Sequence, residues 1–355
     1  MITVPGSIPK IILLFRFKRS LLKVRLNKNI KLIINYGLAP LLLVLIGYHL
    51  TNELFARPTF EEDVLSIKNH IYKNGIGLLA IAVFLMMLQW LTEAYKWKML
   101  MSSSLNLNWR ASLQMIFTGL SFSFITPFKS GEFIGRVMYL PTHKRAIGTT
   151  YTFYSSIIQF TVYSLLGALS LWMLDLDHLL LKIPASFTSG ILFLKSISLF
   201  IPIVCLIFFI TKRLFIHFFL SFNLLKKFTP IAQEFLSIKP SRTAMVFGLT
   251  FLKCFIFILE YWLIFKWLGV ELSISQVFMG VSIMVFALAV MPTISFIEIG
   301  LRWEFSFVIF SAFTQNLVGV TIGTTIVWLL NIVLPAIIGA FWLLFRNQVY
   351  ISDVE

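Results

Sequence analysis

The sequence predicts an all-α polytopic membrane protein made of two inverted repeats, each with three spanning helices and one re-entrant helical hairpin. Three observations lead there: the composition, the length of the apolar runs, and a charged motif that occurs twice. Of 355 residues, 58% are hydrophobic and 13% charged, with a mean hydropathy of +0.89, which is more apolar surface than a water-soluble core can hide. The longest runs reach the ~20 residues a helix needs to cross hydrocarbon, whereas the alternating ~10-residue segments of a membrane barrel are missing from the pattern.

The elements follow in order. The basic lead KIILLFRFKRSLLKVRLNKNIK makes residues 1–30 an interfacial amphipathic segment on an anionic lipid surface, with no small-residue cleavage site after it. Residues 31–345 form the membrane domain, with spans at 31–50, 76–95, 147–173, 190–211, 244–268 and 317–345. Two apolar stretches, 111–126 and 276–291, each run into a charged motif and resume as a short piece, 133–141 and 305–313. Neither pair is long enough for two spans, so each reads as a re-entrant hairpin. Repeat one is then 31–173, repeat two 190–345, and 346–355 is a tail.

Lys and Arg near the span ends set the orientation. Counting from a basic cytoplasmic lead, the loops on that side, including 96–110, hold twenty basic residues against five on the other, which predicts both termini inside. The net charge of +15 is spread beside apolar segments rather than over a soluble domain, so an anionic lipid surface, not nucleic acid, is the expected partner.

The motifs are FITPFKSGEFIGRVMYL at 124–140 and VMPTISFIEIGLRWEF at 290–305. Glu132 and Arg136 recur 166 positions later as Glu298 and Arg302, and Glu93 recurs 167 positions later as Glu260. Three spans per copy is an odd number, so the second copy lies upside down relative to the first, and the two hairpins dip from opposite sides. A carboxylate or guanidinium in hydrocarbon costs several kcal/mol unless paired or hydrated, so these residues are expected at a polar midplane cavity where the hairpin tips meet. Broken helices and arginine together favour an anionic head group such as phosphate. Glu132, Arg136, Glu298, Arg302, Lys129, Glu93 and Glu260 are the candidate substrate-binding residues. Pro127 and Pro292 break the hairpins, and Gly131, Gly135 and Gly300 permit close backbone approach. The bland alternative is a local ion pair, since Glu-x-x-x-Arg spans one helical turn. Lys253 and Glu260, seven apart on one helix face, read as a buried pair.

No catalytic group, metal or cofactor is expected. The five histidines are scattered without ligand spacing, and Cys205 and Cys254 lie inside apolar segments as packing residues. Hydrolase elbows, zinc-protease helices and phosphate-binding glycine loops are missing from the sequence, and the Asp175-Leu-Asp177 stretch reads as a loop acid cluster.

The two charged motifs resemble those of the flippase-like transmembrane region of lysylphosphatidylglycerol synthases: NWRASLQMIFTGLSFSFITPFKSGEFIGRVMYL the first Pro…Gly-Glu…Arg motif, MPTISFIEIGLRWEFSFVIF the second Pro…Glu-x-Gly-x-Arg motif. The resemblance spans roughly 30–345 and implies a bacterial inner-membrane protein that moves a lipid between leaflets, with Pro127, Gly131, Glu132, Arg136, Pro292, Glu298, Gly300 and Arg302 as the carried-over positions. It departs in two ways. The chain ends about ten residues after its last span, so a soluble aminoacyltransferase domain is not expected, and Thr293–Ile297 replaces the family's glycines. The expected function is translocation of an anionic or zwitterionic phospholipid, with a membrane-embedded transferase or a non-transporting scaffold of cell-envelope biogenesis as rivals, and homo-oligomerisation left open.

Overall fold

The computed structural model describes residues 60–126, 129–174, 195–222, 229–291 and 298–344, with isolated positions at 48, 52, 55, 192 and 193. The basic lead, nearly all of the first expected span, Pro127, Pro292, the 175–191 loop and the tail lie outside them. The described residues are helical with no strand: α1 Phe60–Asn74, α2 Gly77–Met101, α3 Trp109–Ile125, α4 Gly131–Val137, α5 Arg145–Met173, α6 Phe200–Ser221, α7 Thr229–Ser237, α8 Pro240–Trp267, α9 Ile274–Val290, α10 Glu298–Phe310, α11 Leu317–Trp328 and α12 Leu334–Leu344.

Five helical segments are long and apolar enough to cross a bilayer: Gly77–Met101, Thr142–Met173, Lys195–Ser221, Pro240–Trp267 and Leu317–Leu343. They coincide with five of the six expected spans. α6 shows why such helices need lipid: Phe200, Ile203, Ile207, Ile210, Leu214 and Phe218 are all exposed, and of its 22 residues just Pro202 and Ile216 are buried. An apolar face of that extent is stable against acyl chains and not against water.

Helix starts are locally encoded. Asn108 caps α3 by accepting from Ala111 N–H, Asn316 caps α11 by accepting from Gly319 N–H, and Ser273 with Gln276 forms a capping box on α9. Pro240 stands at the first position of α8, where no N–H is required. The last apolar segment is continuous but contains a π-helical turn, Leu329–Val333. Pro335 accounts for it: proline offers no N–H and its ring clashes with the carbonyl four residues back, so the helix widens there, and Leu334 N–H bonds to Leu329 O, five back.

Both charged motifs do interrupt a helix. The second pieces begin earlier than expected, at Gly131 and Glu298, so the acid of each motif sits in the first turn of the returning helix, where carboxylate suits the helix dipole. α4 folds back antiparallel on α3: a Cβ on Gly135 would stand 2.5 Å from Gly119 Cα, and one on Gly131 would strike the Phe122 carbonyl. Glycine is thus required at both places for close approach, as the sequence suggested. Gly300 is buried in the first turn of α10.

α2 and α8 form the central pair and run antiparallel, since Asn74, next to α2, meets the Lys266 carbonyl, Gln89 meets Glu260, and Glu93 meets Lys253. α3 packs on α12, with Ser121 Oγ donating to Ala336 O, while α9 packs on α5, where Gly167 admits the Phe286 ring. Two polar-loop helices, α1 and α7, were not expected. α1 carries Glu61, Glu62 and Asp63 in its first turn, and its polarity hid it from a search for apolar runs.

Candidate functional site

The charged residues assemble into two networks at the centre of the bundle. The first surrounds Glu93, which is 2% exposed on α2. Its Oε2 receives Lys96 Nζ at 2.8 Å and Lys253 Nζ at 2.9 Å, and its Oε1 receives Arg136 Nη2 at 3.0 Å. The same Arg136 nitrogen donates to Glu132 Oε1. Two tryptophans wall the network, with the Arg136 guanidinium 5.5 Å from the Trp97 ring centre and Lys253 Nζ 5.0 Å from that of Trp90.

The second network surrounds Glu298, which is 1% exposed. Lys129 Nζ lies 2.8 Å from its Oε2, and Arg302 donates to its Oε1 from Nη2 at 2.6 Å and from Nε at 3.1 Å. Arg302 Nη1 reaches the Tyr261 hydroxyl at 3.5 Å. Lys129 belongs to the segment between α3 and α4, so the first interrupted helix reaches α10, the helix that follows the second interruption. It holds φ 54°, a left-handed conformation that a side-chain-bearing residue adopts at a cost of about 1–3 kcal/mol. Its side chain is 45% exposed, the least buried of either network.

Each network draws a cation from the other half of the sequence: Lys253 serves Glu93, and Lys129 serves Glu298. In the first, three cations (Lys96, Arg136, Lys253) face two carboxylates (Glu93, Glu132), and in the second, two cations (Lys129, Arg302) face one (Glu298). Among the described residues each network therefore carries one positive charge in excess.

The structure thus brings Glu93, Lys129, Glu132, Arg136, Glu298 and Arg302 together as two groups, and it leaves Glu260 outside the ion pairs of both. The expected Lys253–Glu260 pair is not formed: helical spacing put them on one face, but Lys253 turns across the interface to Glu93. Glu260 instead accepts from the amides of Gln89 and Asn331. The expected polar cavity is, in this conformation, filled by charges packed against one another. Lys96, counted above in a cytoplasmic loop, lies within α2, is 1% exposed and belongs to the first network. Sequence reasoning also missed Trp90, Trp97, Gln89, Tyr261 and Asn331. Glu93 and Lys96 at i,i+3 in an apolar helix were a usable signal, whereas the aromatic and amide partners come from other helices and had none.

A chain of apolar spans enclosing paired buried charges defines a multi-pass membrane protein whose polar interior is made by charges within spanning helices together with those at the two helix breaks. The profile of the lysylphosphatidylglycerol synthase transmembrane region matches residues 43–339, and the chain belongs to that family. Comparison with curated proteins finds no match, and comparison with solved structures finds none.

Proposed function

We propose that this protein moves a phospholipid, anionic or zwitterionic in its head group, between the leaflets of the bacterial inner membrane. The observation that carries the reading is the pair of buried networks, each one cation in excess and each completed across the two halves of the chain. A surplus guanidinium or ammonium in a water-poor interior is stabilised by an anion, and a lipid phosphate supplies one with acceptors suited to arginine's fork. In this reading Arg136 and Arg302 bind phosphate, Glu132 and Glu298 hold the arginines when it is absent, and the acyl tails stay in the bilayer.

Packing supports the inverted-repeat reading. α2 and α8, which correspond at the Glu93–Glu260 interval, lie antiparallel, as an odd number of spans between copies requires. The hairpin helix of each half packs on the last spanning segment of the other, α3 on α12 and α9 on α5. With both termini cytoplasmic, the first hairpin opens inward and the second outward, so Lys129–Glu298 is a contact between an inward and an outward gate.

The test is reconstitution of the purified chain in liposomes carrying fluorescent lipids of different head groups, with leaflet exchange read by quenching from outside. Faster exchange than in protein-free liposomes, reduced in Arg136→Ala and Arg302→Ala, is expected. Equal rates with and without protein for every head group would sink the proposal.

A further inference from the structure

Glu260 is the buried carboxyl that the translocation reading does not use. It is 0% exposed in the C-terminal third of α8, and no cation lies within ion-pair distance of it among the described residues. Glu93 and Glu298, the other buried acids among the described residues, have three and two such cations. Its partners are two amides from opposite sides: Gln89 Nε2 of α2 donates to Oε2, and Asn331 Nδ2 donates to Oε1 at 2.7 Å. Asn331 stands on the π-helical turn that Pro335 imposes and also donates to Val327 O at 3.1 Å.

The surrounding groups leave the charge of this carboxyl unbalanced. On its own helix, Lys253 is committed to Glu93 and Tyr261 accepts from Arg302. α2 presents Gln89 and, one turn on, Glu93 with Lys96 bound to it. α5 brings Tyr163, whose hydroxyl accepts from Gln159 at 2.9 Å. α9 and α11 carry no titratable side chain, and α1 meets α8 at its C-terminal end, six residues on from Glu260, where Asn74 bonds to the Lys266 carbonyl and the Lys266 ammonium lies 5.1 Å from the Trp262 ring centre.

A buried carboxylate without a counter-cation is costly, and a proton removes the charge without moving any neighbour far. The amide pair suits both states. An amide turned by half a rotation offers its carbonyl where its NH2 was, so Gln89 and Asn331 can donate to a carboxylate or accept from a carboxylic acid. We propose that Glu260, held between Gln89 and Asn331, is a proton-binding site whose loading and unloading couples a proton gradient to the movement of the two halves. The step is a simple protonation: the carboxylate takes a proton from water on one side and returns it to water on the other, with no other bond changed. α8 also carries Lys253 and Tyr261, which touch the two networks, so a shift of α8 or of the π turn on changing the charge of Glu260 is felt at both. The coupling rests on the translocation reading, whereas the proton site does not.

Two measurements separate them. In liposomes with an imposed pH gradient, lipid exchange by the wild-type chain is expected to respond to the gradient with proton uptake, and Glu260→Gln is expected to lose that response. An unchanged response in Glu260→Gln, or one driven by a sodium gradient without proton uptake, overturns the proposal. Independently of transport, infrared difference spectra of the detergent-solubilised protein on acidification are expected to show a carboxylic-acid carbonyl band that Glu260→Gln lacks. Persistence of every such band in that variant overturns the site even if lipid moves. Should Glu260→Gln fail to insert, Glu260→Asp must shift the band, and an unshifted band is equally fatal. A wild-type chain that moves no lipid but shows the band would end the translocation reading and leave the proton site standing.

Discussion

Lys253 of α8 and Glu93 of α2, 160 positions apart in sequence, meet at 2.9 Å inside the bundle. Lys253 stands with Lys96 and Arg136 around one carboxylate, so Lys96 and Lys253 depend on Glu93 for compensation, while Arg136 also has Glu132. Removing Glu93 as Glu93→Gln should destabilise the fold by about 3–5 kcal/mol, because charges are left buried without a partner. Lys253→Met should cost much less, since its side chain is 15% exposed and two cations remain on Glu93. Thermal unfolding in detergent checks the order, and equal losses would contradict the geometry.

Arginine identity can be probed where charge is kept. Arg302 uses two nitrogens on one Glu298 oxygen and a third toward Tyr261. Arg302→Lys should retain insertion yet lower lipid exchange to a level between wild type and Arg302→Ala, because a lysine keeps the charge without the fork. Wild-type exchange by the lysine variant would remove Arg302 from substrate binding. Exchanging Glu298 with Arg302 is a poorer test than their i,i+4 spacing suggests, since an arginine at 298 would face Lys129.

The proposed inverted arrangement predicts sidedness. A single cysteine at Lys129 should react with a membrane-impermeant reagent from the cytoplasmic side, and one at Met291, which is 44% exposed at the end of α9, from the opposite side. Labelling of both from one side would rule out hairpins of opposite entry.

Close approach of α3 and α4 predicts a contrast between two glycines. Gly135→Ala places a methyl 2.5 Å from Gly119 Cα and should destabilise by about 1–3 kcal/mol. Gly248→Ala, with nothing within 4 Å of the new Cβ, should be neutral or stabilise by up to about 1 kcal/mol through helix propensity. Equal melting shifts for the two would show that α3 and α4 do not touch there.

The sequence by itself determined the membrane class, five described spans, the two interrupted helices and six of the seven candidate charges that meet at the networks. Apolar run length and the 166-residue recurrence are properties of the chain alone, and hydrocarbon forces backbone hydrogen bonds inside each helix, so local pattern maps directly onto structure. Which charge pairs with which was decided only in three dimensions. Lys253 and Glu260 share a helix face at a spacing of seven, but the carboxylate nearest Lys253 belongs to α2, and Coulomb attraction falls with distance in space and not along the chain. The partners of Glu260 were equally hidden: Gln89 and Asn331 reach it only because α2 and the π turn pack on α8, and an amide has no charge by which its partner can be guessed.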